Sequence, residues 1–136
     1  MNSNKPTLYL IRGVPGSGKS TLANTLLEMK VVWHVFEADQ FFYDADGNYN
    51  FDFEKLSLAH SICQNKTMFS LALGYSVAVS NTSTTEKEVE TYRKIAEKCK
   101  AEFVSIIVEN RHDCANVHNV PEDKIQQMKN RFSIKL

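Results

Sequence analysis

Paired cysteines are missing from this chain. Cys63, Cys99 and Cys114 are odd in number and widely spaced, with no C-x-x-C among them. This argues against a disulfide framework or a ribbon-type structural zinc and predicts free thiols in a reducing compartment. Net charge is missing as well: 16 basic side chains balance 16 acidic ones, and neither half is strongly basic. A long electrostatic footprint on duplex DNA is therefore not expected, while a strand end or a small molecule still fits as a partner. No apolar run reaches the roughly 18 residues of a membrane span, and no signal or transit peptide pattern occurs. The expectation is a cytoplasmic protein. Repeats and low-complexity segments are absent too. The 136 residues, 43% hydrophobic and 24% charged, suit one globular domain with room for about five strands and no second enzymatic domain.

The chain does hold one stretch around which the rest is organised, Gly13-Val14-Pro15-Gly16-Ser17-Gly18-Lys19-Ser20-Thr21. It fits the phosphate-loop pattern G-x-x-x-x-G-K-[ST], with the strand-like Leu8-Tyr9-Leu10-Ile11 before it and a helical pattern after it. Glycines at 13, 16 and 18 let backbone approach a polyphosphate without a side-chain clash. Successive N–H groups and the start of the next helix then face the anion. Pro15, Ser17 and Thr21 complete the expected nucleotide-binding set. Lys19 brings positive charge to the β- and γ-phosphates, and the Ser20 hydroxyl is placed to ligate Mg²⁺. The cofactors implied are ATP and Mg²⁺.

Strands alternate with helices along the chain. Residues 1–6 read as a frayed, flexible terminus and 7–12 as a central strand, apolar at every position from Leu8 to Ile11. A helix over 19–29 is expected to bury Leu22, Leu26 and Met29. A strand over 31–37 follows, with His34 as a packed or edge histidine. Asp46-Gly47 predicts a tight turn between Tyr43 and Tyr49. A calcium loop at Asp44, Asp46 and Asn48 is rejected because the glycine is displaced and no bidentate Glu follows. Residues 53–73 read as a long helix burying Leu58, Ile62, Phe69 and Ala72, with His60 and Gln64 sharing a surface. A strand over 76–80 precedes a helix capped by Thr85 and Glu88, with Val89, Tyr92, Ala96 and Cys99 inward. A strand over 102–108, a lid loop over 109–120 and a helix opened by Pro121, burying Ile125, Met128 and Phe132, complete the reading. The fold predicted is a three-layer α/β/α P-loop NTPase of nucleotide-kinase type, with four to five mainly parallel strands.

Ligands of such sheets sit beyond the carboxyl ends of the strands. Asp39, just after the second strand, is the candidate general base for an attacking hydroxyl; a turn-capping role is the competing reading. Arg111 is the candidate transition-state clamp, against a solvated loop arginine. For His118 a structural role in its loop is the expectation, and stacking on the base is the competing reading. Ser80 and Asn81 stand where many phosphate-loop enzymes carry an aspartate, so at most a water-mediated role in the Mg²⁺ shell is expected of them.

Together these stretches resemble the small polynucleotide-kinase-like P-loop kinases, AAA-type ATP-binding proteins of phages and domains of animal proteins. The resemblance runs from Leu8 to Phe132. It rests on the loop, on Ala38-Asp39-Gln40-Phe41-Phe42, on Ala59-His60 with Gln64, on Val79-Ser80-Asn81-Thr82-Ser83, and on Asn116-Val117-His118-Asn119-Val120-Pro121. It implies ATP-dependent transfer to a hydroxyl, in the best-known members the 5′-OH of a polynucleotide. Asp39 falls on the family's base, Lys19 and Ser20 on its phosphate and metal residues, and Arg111 loosely on its lid arginine. Relatives usually carry an acid in the strand end that reads Ser80-Asn81-Thr82-Ser83 here, and Phe42 replaces an arginine. A nucleoside-like small-molecule acceptor and a nucleotide-binding switch with little transfer stay open as alternatives.

Overall fold

A computed structural model describes residues 5–82, 85–109 and 120–132. Among these residues four strands form one sheet: β1 (Thr7–Arg12), β2 (His34–Phe36), β3 (Val77–Ser80) and β4 (Glu102–Ile107). Their order is β2-β3-β1-β4, and every pairing is parallel. Parallel neighbours need long crossovers, and helices supply them. They are α1 (Lys19–Glu28), α2 (Leu56–Ala72) and α3 (Glu86–Lys98), with α4 (Glu122–Arg131) after β4. The predicted P-loop NTPase fold is the one observed.

The two-residue period of the strands sorts the core. Leu8 and Leu10 of β1, with Val77 and Val79 of β3, face α2 and α3 across Cys63, Leu71, Val89 and Tyr92. Ile11 and Ala78 face the other way, against Ala23 of α1 and Val32. The sheet therefore lies between α1 on one side and α2 with α3 on the other. Each fully buried leucine contributes on the order of 1.5–3 kcal/mol by leaving water.

Several expectations change in detail. The second strand is only three residues long, because Val31 and Val32 both donate their amides to Leu26 O in the turn that closes α1. Lys30 takes a φ of 60° in that turn, which turns Met29 out to 69% exposure instead of burying it. On α2 the inward face is Ala59, Cys63, Thr67, Ser70 and Leu71, while Leu58 and Phe69 are exposed. Mostly small side chains, joined by Leu71 in the last turn, let the helix backbone lie close to the sheet. The helix also starts late, after a 3-10 turn over Phe53–Lys55. Other features are as expected. Thr85 and Glu88 form a full capping box on α3. Tyr43 and Tyr49 pair in an antiparallel bridge around Gly47, whose φ is 82°. His34 sits on the edge strand, with Nδ1 3.3 Å from Ser70 Oγ.

Candidate functional site

The phosphate loop leaves the central strand and is held at both flanks. Val108 donates its amide to Arg12 O at 2.8 Å, and Gly13 donates to Thr82 O at 3.3 Å. Gly16 and Gly18 take φ of 83° and 100°, conformations that cost an L side chain dearly. Gly13 is required for space: a Cβ there would collide with Ser17 Oγ and stand 2.8 Å from the Val108 carbonyl oxygen. Ser17 is buried and its hydroxyl has no partner among the described residues, an unmet polar group inside a loop of the type that takes anions.

Lys19 opens α1, and its ammonium donates to Val14 O at 3.2 Å, folding over the loop. Burial lowers its pKa, and the charges of Glu37 and Asp39 pull it back up. Ser20 Oγ donates to Glu37 Oε1 at 3.1 Å.

The end of β2 supplies the acids. Glu37 follows Phe36 directly, and Ala38–Phe42 then coil into a 3-10 turn with Asp39 in its first turn. That turn is anchored from β3. Asn81, 7% exposed, accepts the Ala38 amide at 2.9 Å and donates to Tyr92 Oη at 3.3 Å. The expected role of Asn81 in a water-mediated metal shell is thus replaced by a buried structural one. Tyr49 Oη lies 3.5 Å from Asp39 Oδ1, the outer limit of a hydrogen bond. Burial first, and then the Asp39 charge, push the Tyr49 phenol up to about 12.

These groups open onto one cleft of about 870 Å³ at the carboxyl ends of the strands. Lys19, Ser20, Glu37 and Asp39 line its floor, and His60 and Gln64 share one wall, as their spacing on α2 predicts. Tyr49, Phe51 and Phe53, all substantially exposed, form a second wall. The third comes from α4 through Lys124, Gln127, Met128 and Arg131. Their i, i+3, i+4, i+7 spacing is a face that is readable in the sequence and points at the ligand space. Arg12 braces that helix: it is buried, lies 3.7 Å from Glu86 of α3 and has its guanidinium 4.8 Å from the Phe132 ring centroid. Arg111 and His118 lie outside the described residues.

Glu37 is the residue that sequence reasoning misses. Its signal is an E-x-D pair at a strand end, which places two carboxylates at the mouth of the phosphate loop. Among the described residues no group of three His, Cys, Asp or Glu side chains is arranged to hold a metal alone. Ser20 Oγ and Glu37 Oε1, 3.1 Å apart, are oxygen groups of the kind that Mg²⁺ takes alongside phosphates and water. The buried Ser80 hydroxyl also lines the cleft and has no partner among the described residues.

The sequence matches the AAA domain family over residues 8–134. Human NEDD4-binding protein 2 is 36% identical over 94 residues, 68% of this chain, and the match spans only 5% of that protein's length. Kti12 of Chaetomium thermophilum, solved with ADP-AlF3, superposes with a TM-score of 0.71 at 14% identity, covering 93% of this chain and 80% of that one. An APS kinase of Mycobacterium tuberculosis gives 0.62 at 13% identity, covering 93% and 96%. At such identities the likeness is one of fold alone, the parallel α/β fold of P-loop NTPases.

Proposed function

This chain belongs to the AAA domain family, and on that premise we propose that it is an ATP-dependent phosphotransferase whose acceptor is the 5′-OH end of a polynucleotide. The observation that carries the reading is the convergence of Lys19, Ser20 and Asp39 on one cleft at the strand ends. Loop amides and Lys19 hold the phosphates, and Asp39 takes the proton of the attacking hydroxyl. Mg²⁺, when bound beside Ser20, offsets charge on the phosphate oxygens. Arg111 is the clamp this reading assigns to transition-state charge. Glu37 and Asp39, both in the cleft beside Lys19 and Ser20, weigh against a switch that only binds nucleotide.

The exposed wall of Tyr49, Phe51 and Phe53 supports a base-bearing acceptor, since aromatic faces stack bases without regard to sequence. A balanced charge suits an end-directed contact better than a long backbone groove.

The test supplies Mg²⁺ and γ-labelled ATP with a 5′-OH oligonucleotide, with nucleosides, or with no acceptor. Label should pass to the oligonucleotide and fall by about 10²–10⁴-fold in Asp39→Ala with ATP affinity kept. Label on nucleosides alone would move the acceptor to a small molecule. ATP binding without transfer to any acceptor would favour the switch.

A further inference from the structure

β3 ends in Ser80-Asn81 with no acid, so a divalent cation beside Ser20 needs its protein charge from elsewhere. We propose that Glu37 supplies that carboxylate and that the Ser80 hydroxyl is its neighbour in the cation shell, an assignment that rests on the nucleotide-binding reading above.

Three observations carry it. The first is register. Phe36 pairs with Val79, so Glu37 and Ser80 stand side by side, one residue further on, at the carboxyl ends of adjacent parallel strands. Ile11 pairs with Ser80 on the other side, which puts the phosphate loop next in line. An acid that β3 does not carry is thus replaced one strand over at the same level.

The second is the direction of the Ser20 hydrogen bond. Its hydroxyl donates to Glu37 Oε1 at 3.1 Å. A hydroxyl whose proton is engaged by a carboxylate keeps its lone pairs for a cation. The carboxylate orients that ligand, as outer-shell carboxylates do in metal sites.

The third is Ser80 itself. It is 5% exposed, its Oγ has no hydrogen-bond partner among the described residues, and it lines the same cleft as Glu37 and Ser20. Buried hydroxyls are rarely left unmet without a reason. A water of a hydrated cation would meet it. Glu37 and Asp39, two residues apart, then divide the work: one acid serves the cation and the other the acceptor hydroxyl.

The experiment titrates Mn²⁺ into protein saturated with ADP, following free Mn²⁺ by electron paramagnetic resonance, with ADP affinity in EDTA measured alongside. Glu37→Gln should weaken Mn²⁺ by roughly tenfold or more. Its EDTA affinity for ADP should hold or rise, because a negative charge near Lys19 is gone. Ser80→Ala should weaken Mn²⁺ by about two- to fivefold while stability in urea is kept or improved, since a buried hydroxyl with its hydrogen bonds unmet is removed. Unchanged Mn²⁺ affinity in Glu37→Gln overturns the proposal and leaves nucleotide binding standing. An equal loss of ADP affinity with and without metal overturns it too, making Glu37 a loop support. Wild-type protein that binds no ADP under either condition would overturn the nucleotide-binding reading as well.

Discussion

The side-chain oxygen of Asn81 accepts the backbone amide of Ala38 at 2.9 Å, joining the end of β3 to the turn that carries Asp39. Both residues are buried, so this one bond fixes where the candidate base begins. Asn81→Ala leaves the Ala38 N–H unpaired away from water and should cost about 1–3 kcal/mol in urea unfolding. Asn81→Asp keeps the acceptor but loses the donor to Tyr92 and buries a carboxylate. Its loss at pH 7 should be larger and should partly recover near pH 5 as the acid protonates. Equal stability of wild type and Asn81→Ala would show that the tie is dispensable.

Gly13 and Gly47 are both in turns, yet for different reasons, and alanine separates them. At Gly13 a Cβ meets Ser17 and the Val108 backbone, so the loop must open to admit it. Gly13→Ala should lower ATP affinity by roughly tenfold or more in a fluorescent-nucleotide titration, because the tight turn that brings backbone to the phosphates is lost. At Gly47 nothing among the described residues stands within 4 Å, and only the φ of 82° opposes a side chain. Gly47→Ala should cost about 1–2 kcal/mol of stability with ATP affinity unchanged. A shared loss of affinity would mean that the hairpin turn and the loop are coupled.

How legible each feature is in the sequence depends on how locally it is encoded. The phosphate loop, the doubly covered β1, the capping box and the Asp46-Gly47 turn are set by residues within a few positions of one another, so pattern suffices. The face of α2 is not legible in this way. Its hydrophobic side chains lie nearly all round, and packing against the sheet, which takes Ala59, Cys63 and Leu71 but not Leu58 or Phe69, decides which side turns in. Glu37 escapes notice because it reads as the last residue of a strand. Its meaning depends on Ser20, 17 residues away in sequence and 3.1 Å away in space. Arg111 stands out in the sequence as the arginine of its loop, whereas the cations that line the cleft from one face of α4 are Lys124 and Arg131.

The reassigned face of α2 has its own test. Ala59 is 1% exposed and packed in the main core, whereas Leu58 is 51% exposed. Ala59→Leu adds bulk to a filled space and should destabilise by about 1–3 kcal/mol. Leu58→Ala should stay within about 0.5 kcal/mol of wild type. The order would be reversed if Leu58 were the inward residue, and urea melts of the two variants decide it.

Tyr92 makes stability depend on alkaline pH. Burial raises its phenol well above the ordinary tyrosine value, the nearby Cys63 adds to this, and burial raises Tyr49 to about 12 as well. In the unfolded chain both ionise near about 10. Above that pH the unfolded chain releases protons that the native state still holds, so stability falls as pH rises. The contribution is complete below about 10 and is lost as pH climbs through the folded values. Tyr92→Phe removes one of these protons from the balance. At pH 7 it also removes the acceptor of Asn81 Nδ2 and the 3.5 Å contact to Cys63 Sγ, for a cost of about 1 kcal/mol. The Tm of Tyr92→Phe should therefore lie below wild type at pH 7, and the gap should narrow between about pH 9 and 11. A gap that stays constant over that range would mean that the Tyr92 hydroxyl ionises as readily in the native protein as in the unfolded chain.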